Sequence, residues 1–352
     1  MAKRKLALGL DIGSSSVKLI HLKEVRRRGT LGYQLQSFGT KALPPEAIVD
    51  GALMNSTAIV QAIQELVAEL KVRHKDVAIG VSGHSVIIKK ISLPRMSQEE
   101  LDESIQWEAE QYIPFDIKDV NIDTFPLPTG NDQTGQMDVL LVAAKKDMIN
   151  DYTSVVAEAG LSPAVVDVDA FAVQNCYETN YEMPTGETIV LINAGASVVN
   201  INIIANGVTT FTRDVTIGGN QFTEEIQRQM NVSFKEAEAL KTGRAKGDAK
   251  GLAGVVDGVS ANLCMDVKRS LDFFLGGGQT LNVNKIYLSG GGSKTRGLKD
   301  MMQEKISIPV EPINPFKNLE HSDKAFDEEM LADLAPYFAV GVGLATRKFG
   351  DR

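Results

Sequence analysis

Asp11 and Gly13 open the first group of residues whose types and spacing could do chemistry. They lie in residues 6–21 (LALGLDIGSSSVKLIH), where one apolar stretch typical of a β-strand ends at the aspartate and a second begins after three serines. Gly13 lets the backbone approach a phosphate and present N–H groups to it, and Asp11 can hold Mg²⁺ through water. Hydroxyl donors can come from Ser14, Ser15 and Ser16. The pattern predicts a β-hairpin that grips a phosphate, and the alternative is an ordinary β-turn.

A second copy of this pattern lies in residues 188–204 (TIVLINAGASVVNINII). Asn193 takes the place of Asp11, a glycine again follows two positions later, and a second β-rich stretch returns along the first. The residues expected to contact a ligand here are Asn193, Gly195, Ala196 and Ser197. Two copies of one hairpin predict two similar halves that close on a single nucleotide.

A run of three glycines marks a third candidate segment. Residues 285–288 (KIYL) predict a strand, Gly290, Gly291 and Gly292 follow it, and we expect a helix to begin near Ser293. Three residues without side chains between a strand and a helix N-terminus suit a flat base or a phosphate that lies on the backbone. A flexible loop is the alternative. The sequence has neither a GxxxxGK[ST] loop nor a strand–GxGxxG–helix motif, so the two commonest nucleotide-binding motifs are absent from it.

The composition of the 352-residue chain is that of a globular protein with room for two domains, being 43% hydrophobic and 23% charged. A net charge of −8 opposes non-specific binding to nucleic acid or anionic lipid, and no apolar run reaches the length of a membrane span. The basic N-terminus leads into a strand and not into the apolar stretch of a signal peptide, so we expect a cytoplasmic protein. The two cysteines and four histidines lack metal-ligand spacing.

Strand and helix patterns alternate along the whole chain, which predicts an α/β fold. Between the two hairpins, a self-contained block of strands and helices predicts an inserted subdomain. The expected domains are a first half (residues 1–84), the inserted subdomain (85–160), a return to the first half with a connecting helix (161–187), a second half (188–330) and a terminal helix that returns to the first half (331–352).

The order of these segments resembles the actin, Hsp70 and sugar-kinase superfamily over essentially the whole chain. There the hairpins are the phosphate 1 and phosphate 2 motifs, the glycine run is the adenosine motif, and two helices connect the halves. The segment LDIGSSSVKL and residues 105–116 (IQWEAEQYIPFD) further resemble the PilM family of type IV pilus assembly proteins. That family is similar to the cell-division protein FtsA in placing a subdomain called 1C where residues 85–160 lie here. The resemblance implies an actin-like fold, with two related halves around a nucleotide cleft and an inserted FtsA-type 1C subdomain.

The resemblance also implies ATP and Mg²⁺ as cofactors. It assigns Asp11, Gly13, Ser14, Ser15 and Lys18 to phosphate 1, Asn193, Gly195 and Ser197 to phosphate 2, Gly290, Gly291 and Gly292 to the adenosine motif, and Glu238 and Lys241 to the base and ribose pocket. The chain departs from many superfamily members at Asn193, where they carry an aspartate. An amide cannot supply a negative charge to a metal-bound water, so we expect ATP binding to survive this change more readily than hydrolysis.

The implied function is that of a cytoplasmic ATP-binding scaffold of the type IV pilus machinery. Such a scaffold holds the cytoplasmic N-terminal tail of the inner-membrane protein PilN, reaches the membrane only through its partners, and helps to link the motor ATPases to the alignment complex. The alternative is a true ATPase or a small-molecule phosphotransferase of the same superfamily. For that alternative, Gln174 is the candidate for positioning a water, unless it is a solvated helix residue, and Asp167 and Asp169 are the candidates for a general base. The sequence leaves open whether the chain self-associates.

Trp107, the only tryptophan, lies on a helix predicted over residues 97–113. At about 100° per residue, Ile105 and Ala109 share an apolar stripe with Leu101, whereas Trp107 points about 120° away from Leu101 among acidic residues. Because exposed aromatic residues often anchor partner proteins, we expect a partner surface at Trp107, Ile113 and Phe115. The alternative is that Trp107 covers the edge of its own subdomain or packs against a neighbouring one.

Overall fold

The computed structural model describes residues 5–27, 30–128, 135–183, 185–245, 249–276, 282–322 and 326–351, so the N-terminal basic residues before position 5 lie outside it. The described strands are β1 (Leu8–Ile12), β2 (Ser16–Arg27), β3 (Thr30–Ala42), β4 (Ile48–Val49), β5 (Ala52–Leu53), β6 (Asp76–Val81), β7 (Val86–Pro94), β8 (Val120–Pro126), β9 (Gln136–Lys145), β10 (Ser162–Val168), β11 (Thr188–Ala194), β12 (Val199–Ala205), β13 (Val208–Val215), β14 (Val283–Ser289) and β15 (Val310–Pro312). The described helices are α1 (Ser56–Glu69), α2 (Gln98–Glu110), α3 (Lys146–Glu158), α4 (Asp169–Asn180), α5 (Gly219–Met230), α6 (Phe234–Lys241), α7 (Ala249–Gly276), α8 (Leu298–Ile306), α9 (Glu328–Leu334) and α10 (Ala339–Ala345). Short 3₁₀ helices occupy Ile117–Asp119, Gly291–Lys294 and Ala335–Phe338.

Two five-stranded sheets of identical topology form the halves of the molecule. The strand order is β10-β6-β1-β2-β3 in the first sheet and β15-β14-β11-β12-β13 in the second. In each sheet, the three consecutive strands pair antiparallel, and the two later strands add in parallel on the other side. The register places Asp11 opposite Lys18 and Asn193 opposite Asn200. The predicted duplication is therefore confirmed at the level of strand order and register.

The central strands are nearly continuous apolar runs because helices cover both faces of each sheet. The outer face of the first sheet packs against α1 and α3, and that of the second sheet packs against α5 to α8. The inner faces share one hydrophobic core with α4 and α10. These two helices cross in close contact, since a Cβ atom built on Gly343 of α10 would lie only 1.7 Å from the carbonyl oxygen of Ala172 in α4. The halves are thus joined through a pair of helices whose backbones touch.

The inserted subdomain has a core of its own. Its antiparallel sheet has the strand order β7-β9-β8, and the buried stripe of α2 packs against it through Leu101, Ile105 and Ala109. The helix begins where expected, because Ser97 and Glu100 form a capping box at its N-terminus. By contrast, α3 packs in the core of the first half through residues such as Tyr152. The separate core of the insertion therefore ends near the end of β9, although the predicted range ran to residue 160.

Candidate functional site

The first hairpin forms a tight polar turn at the end of β1. The amide of Gly13 donates to the carbonyl oxygen of Ser16 at 3.1 Å, which closes the turn. Lys18 Nζ lies 3.1 Å from Asp11 Oδ2, and both side chains are largely buried. A buried carboxylate needs such a partner, because leaving water would otherwise be costly. The turn therefore holds one negative and one positive group side by side beneath its backbone.

The second hairpin repeats this turn and rests against α5. The amide of Gly195 donates to the carbonyl oxygen of Val198 at 2.9 Å. The backbone amide of Asn220 donates to the carbonyl oxygen of Ala196 at 2.7 Å. The amide of Gly219 in the first turn of α5 also donates to the carbonyl oxygen of Gly195, at 2.9 Å. These bonds fix the hairpin against the N-terminus of a helix.

The two hairpins meet across the cleft between the halves. Ser197 Oγ donates to Ser14 Oγ at 2.9 Å. Of the three predicted serines, Ser14 is thus the one whose hydroxyl reaches the other half. The other two contribute backbone carbonyl oxygens to local structure, since Ser15 accepts from Leu43 and Ser16 accepts from the Gly13 amide. The predicted convergence of the hairpins on one place is confirmed by this contact.

A cluster of carboxyl groups lies below the first hairpin. Asp169, the first residue of α4, interacts with the charges of Asp11 and Asp214 and accepts a hydrogen bond from the Ser82 side chain. Desolvation, reinforced by the negative charge of Asp11, raises the pKa of Asp169 to about 7. Asp169 appeared in the sequence only as a general-base candidate, because the strand order that brings α4 to this place is not visible in the chain. Among the described residues, no group of three or more His, Cys, Asp or Glu side chains is arranged to hold a metal ion directly.

The other general-base candidate lies elsewhere. Asp167 forms an ion pair with Arg347 at 3.3 Å. Burial raises the pKa of Asp167, and the positive charge of Arg347 opposes that rise. Asp167 therefore ties the C-terminal segment to β10 and does not face the hairpins.

The glycine run packs closely against the second hairpin, with Gly290 and Gly292 buried and Gly291 half-buried. Gly290 has a φ of +84°, and a Cβ atom there would lie 2.3 Å from the carbonyl oxygen of Ala194. Gly291 lies under the ring of Tyr337, and the Ser293 hydroxyl donates to the carbonyl oxygen of Gly290 at 2.6 Å. The prediction that an α-helix begins near Ser293 is wrong. A single 3₁₀ turn comes first, and α8 begins at Leu298.

Glu238 and Lys241 lie on the same wall of the cleft as the glycine run. Lys241 is buried, and its Nζ donates to the carbonyl oxygen of Gly219 at 3.1 Å, to Thr223 Oγ1 at 2.9 Å and to the Glu238 carboxylate. Thr223 also donates to Glu238. A Cβ atom on Gly219 would lie 3.4 Å from both Lys241 Nζ and the Cα of Gly292. Lys241 therefore supports the glycine run from behind, while the partly exposed Glu238 borders the open side.

The structure places Gln174 beside the strands β12 and β13 and gives it no hydrogen bond to the turn of either hairpin among the described residues. Its Oε1 accepts from Thr209 Oγ1 at 2.5 Å and from Asn202 Nδ2 at 3.2 Å, and its Nε2 donates to Glu178 at 2.9 Å. These bonds occupy both lone pairs of the Gln174 oxygen and one of its two N–H groups, and they hold the amide among protein side chains. Gln174 joins α4 to the second sheet. The prediction that it positions a water is therefore corrected, and the contacts that correct it were not visible in the sequence.

The three predicted partner-binding residues do not share one surface. Trp107 is 81% exposed, so the predicted orientation away from the core is confirmed. Ile113 is 6% exposed and belongs to the core of the inserted subdomain, and Phe115 packs against that core beneath Lys145, whose Nζ lies 4.3 Å from the ring centroid. The expectation fails for Ile113 because the chain turns inward after α2 to close the sheet.

A groove of about 730 Å³ lies on another side of the inserted subdomain, between α2, β8 and the start of α3. Its walls combine apolar, polar and charged side chains from α2, the short 3₁₀ segment, β8 and the first residue of α3: Asp102, Ile105, Asp116, Ile117, Lys118, Ile122, Asp123, Thr124 and Lys146. Among the residues that the structure describes, strand β8 pairs with β9 alone and is an edge strand of its sheet. An edge strand beside a groove can accept an extended peptide as a further strand.

Residues 9–349 of this chain match the sequence model of a family described as type IV pilus assembly protein PilM. The chain belongs to the PilM family. It is similar to a solved PilM–PilN type IV pilus biogenesis complex, with 31% identity and a TM-score of 0.86 over 97% of this chain and 98% of that chain. The family predicted from two short segments is therefore confirmed.

More distant relatives of this PilM-family chain share its fold. FtsA of Enterococcus faecalis is 24% identical over 266 residues, which cover 68% of this chain and 58% of FtsA, and FtsA of Neisseria meningitidis is 24% identical over 274 residues, which cover 70% and 64%. The chain thus spans just over half the length of the FtsA proteins that it matches. EutJ, the ethanolamine utilization protein of Carboxydothermus hydrogenoformans, is 14% identical with a TM-score of 0.58, covering 99% of this chain and 91% of EutJ. The predicted actin-like α/β fold is confirmed.

Described helices of the chain include none that is both long and apolar enough to cross a membrane.

Proposed function

We propose that the chain is a cytoplasmic scaffold of the type IV pilus machinery that binds ATP with Mg²⁺ in the cleft and a PilN-like N-terminal tail on its inserted subdomain. The observation that carries the nucleotide part is the contact of two equivalent hairpin tips, at Ser14 and Ser197, with the glycine run packed against the second of them. Phosphates would lie between the hairpins and the base against the glycine run.

The donor set suits this ligand. Backbone N–H groups and serine hydroxyls donate to phosphate oxygens, and Lys18 supplies a positive charge. Mg²⁺ prefers oxygen ligands and keeps several waters, so Asp11 and Asp169 suit indirect contact through water better than direct coordination. When bound, the metal ion would neutralise phosphate charge near these two carboxyl groups. Asn193 contributes an amide at the place of a third acid, which favours binding over rapid hydrolysis.

The groove is the proposed site of the partner tail. The similarity to a PilM–PilN complex over nearly the whole chain supports a PilN-like tail as the partner class. The free edge of β8 offers main-chain hydrogen bonds, and Ile105, Ile117 and Ile122 offer apolar contacts to alternate side chains of an extended peptide. Attachment to the inner membrane would then come through the partner, and contact with motor ATPases would link the two sides of the machinery.

Calorimetry with ATP and Mg²⁺ tests the nucleotide site. Asp11→Ala and Gly291→Trp should each abolish binding, whereas Gly254→Ala on the exposed face of α7 should leave it unchanged. Because a ligand that binds only the folded state stabilises it, saturating ATP should raise the unfolding free energy of the parent by about 2.7 kcal/mol at 100 times Kd. Equal ATP affinity in the parent and both cleft variants would overturn the assignment.

The groove is tested by titrating a synthetic PilN N-terminal peptide into two variants of one strand. Thr124→Trp fills the groove, whereas Phe125→Trp adds no bulk there, because neighbouring strand residues point to opposite faces. We expect Thr124→Trp to weaken the peptide at least about tenfold and Phe125→Trp to leave its affinity unchanged. Equal affinities in both variants would move the partner site elsewhere.

Phosphate release separates the scaffold from the enzyme alternative. We expect steady-state turnover far below the ~10 s⁻¹ median of dedicated enzymes, with or without added sugars. Turnover at that level by the protein alone would favour a true ATPase, and turnover stimulated by a sugar would favour a phosphotransferase.

A further inference from the structure

A chain of three hydrogen bonds runs from the second hairpin to the loop where the inserted subdomain begins. Asn193 Nδ2 donates to Asn200 Oδ1 at 3.0 Å, and Asn200 Nδ2 donates to Asp214 Oδ1 at 2.8 Å. From the other side, the backbone amide of Gly83 donates to Asp214 Oδ2 at 2.6 Å. The two asparagines are buried, with exposed fractions of 9% and 3%. The Asn193 oxygen accepts from Ser289 Oγ at 3.4 Å, so the amide is hydrogen-bonded at both ends, as buried polar groups generally are.

The direction of this chain is fixed by its acidic end. An ionised carboxylate only accepts hydrogen bonds, so Asp214 obliges Asn200 to turn its NH₂ group outward and its oxygen toward Asn193. Asn193 must then donate, which an aspartate at that position could not do. An asparagine at position 193, where many superfamily members carry an aspartate, thus provides the donor that this direction of the hydrogen bonds requires.

The position of Asp214 joins the two halves. It lies on β13 of the second sheet, opposite Asn200 in the register of β12. Gly83 belongs to the first half and lies two residues after β6 and three before β7, the first strand of the insertion. The hydrogen bonds of Asp214 therefore connect the second hairpin to the segment that carries the inserted subdomain.

We propose that Asn200 and Asp214 are positioning residues, which orient the buried side chain of Asn193 at the end of β11 and couple the second hairpin to the inserted subdomain. The coupling rests on the proposed function, because it gives the bound nucleotide a route to the partner groove. The orientation of Asn193 does not depend on any ligand.

Reversing the polarity of the chain tests the orientation without nucleotide. Asn193→Asp removes the donor, and the carboxylate at 193 then competes with Asp214 for the single NH₂ group of Asn200. Adding Asp214→Asn should restore the chain in reverse, because the new amide can donate to Asn200 while its oxygen still accepts from Gly83. Asp214→Ala supplies no donor and is the matched control in the same background.

The readout is the melting temperature of the ligand-free protein. We expect Asn193→Asp to lower it by roughly 2 to 4 °C, since one buried hydrogen bond is lost. The swap with Asp214→Asn should recover most of the loss, and the pair with Asp214→Ala should not. A swap no more stable than Asn193→Asp alone would overturn the assignment, as would an Asn193→Asp protein as stable as the parent.

Hydrogen exchange with and without ATP and Mg²⁺ tests the coupling. Asp214 is largely exposed, so Asp214→Ala should fold, and it removes the link to Gly83. In the parent, ATP should slow exchange at both hairpins and in β7 to β9. In the variant it should slow exchange at the hairpins alone. Protection of β7 to β9 in both proteins would overturn the coupling. Absence of any protection by ATP in the parent would overturn the proposed function. In that case the melting temperatures of the Asn193→Asp and Asp214→Asn variants still decide the orientation of Asn193.

Discussion

The chemical behaviour of single residues in this cleft depends on their neighbours more than on their residue type. Asp169 lies among protein atoms and other acids, with Asp11 and Asp214 nearby, and its pKa is raised to about 7. A carboxyl group in that state binds a proton more tightly in the folded protein than in the unfolded chain, where its pKa is about 3.9. It therefore makes the stability of the ligand-free protein depend on pH.

Asp169→Asn should remove a part of that pH dependence. Between about pH 4 and pH 7 the folded parent retains a proton that the unfolded chain has lost, so this group lowers the free energy of unfolding as the pH rises. The variant should match the parent near pH 4 and exceed it by at least ~1 kcal/mol at pH 8. Urea unfolding in metal-free buffer at both pH values measures this. A variant that is less stable than the parent at pH 8 would contradict the assignment of a raised pKa.

Trp107 and Ile113 give a matched comparison of an exposed and a buried apolar residue. Trp107→Ala should change stability by no more than about 0.5 kcal/mol, because the side chain is exposed. Ile113→Ala should cost about 2 to 5 kcal/mol, because the residue lies in the core of the insertion. Chemical denaturation gives both values. A large loss at Trp107 would show that it packs against its own subdomain, and a loss of affinity for the PilN peptide there would extend the partner surface beyond the groove.

Elements were predictable from the sequence where a local pattern sets them. The hairpins follow from apolar runs broken by Asp11 or Asn193 and a glycine, and the start of α2 follows from its capping box. Contacts between distant segments were not predictable in this way. Ile113 turns inward, Gln174 bonds to the second sheet, and Asp214 reaches Gly83 because of the order of strands in space. None of these three contacts leaves a periodic signal in the chain.

The crossing of α4 and α10 depends on a glycine. Gly343→Ala should lower the free energy of unfolding by at least about 1 to 3 kcal/mol, because the added methyl group overlaps the Ala172 backbone. Gly254→Ala is the control, since Gly254 lies on the exposed side of α7 and the added carbon meets no described atom within 4 Å. It should raise stability by about 0.5 to 1 kcal/mol through helix propensity. Thermal unfolding of both variants measures these changes in stability. Equal effects of the two substitutions would show that the contact between α4 and α10 has room for a methyl group.

At the scale of the whole molecule, one hydrophobic core is shared by both halves, whereas another belongs to the inserted subdomain alone. The inner core joins both sheets through α4 and α10, whereas the core of the inserted subdomain contains only residues of that subdomain. The halves should therefore unfold together, and the insertion should be able to open alone.

Leu101→Ala tests this separation, because Leu101 is fully buried in the core of the insertion. Native-state hydrogen exchange should accelerate in β7 to β9 and α2 and remain unchanged in β1, β6 and β11. The companion variant Leu191→Ala, in the core shared by the halves, should accelerate exchange in both sheets. Acceleration throughout the chain in Leu101→Ala would show that the insertion and the halves form one cooperative unit.

The identical topology of the two sheets carries an evolutionary consequence. In each sheet, the first parallel neighbour of the central hairpin is followed by a glycine of positive φ, Gly83 after β6 and Gly290 after β14. After Gly83 the chain builds the inserted subdomain, and after Gly290 it forms a short 3₁₀ helix packed beside the second hairpin. If the halves descend from one duplicated gene, the same connection was elaborated twice in different directions. One copy became a subdomain with a core of its own, while the other stayed a single 3₁₀ turn that packs against the neighbouring hairpin.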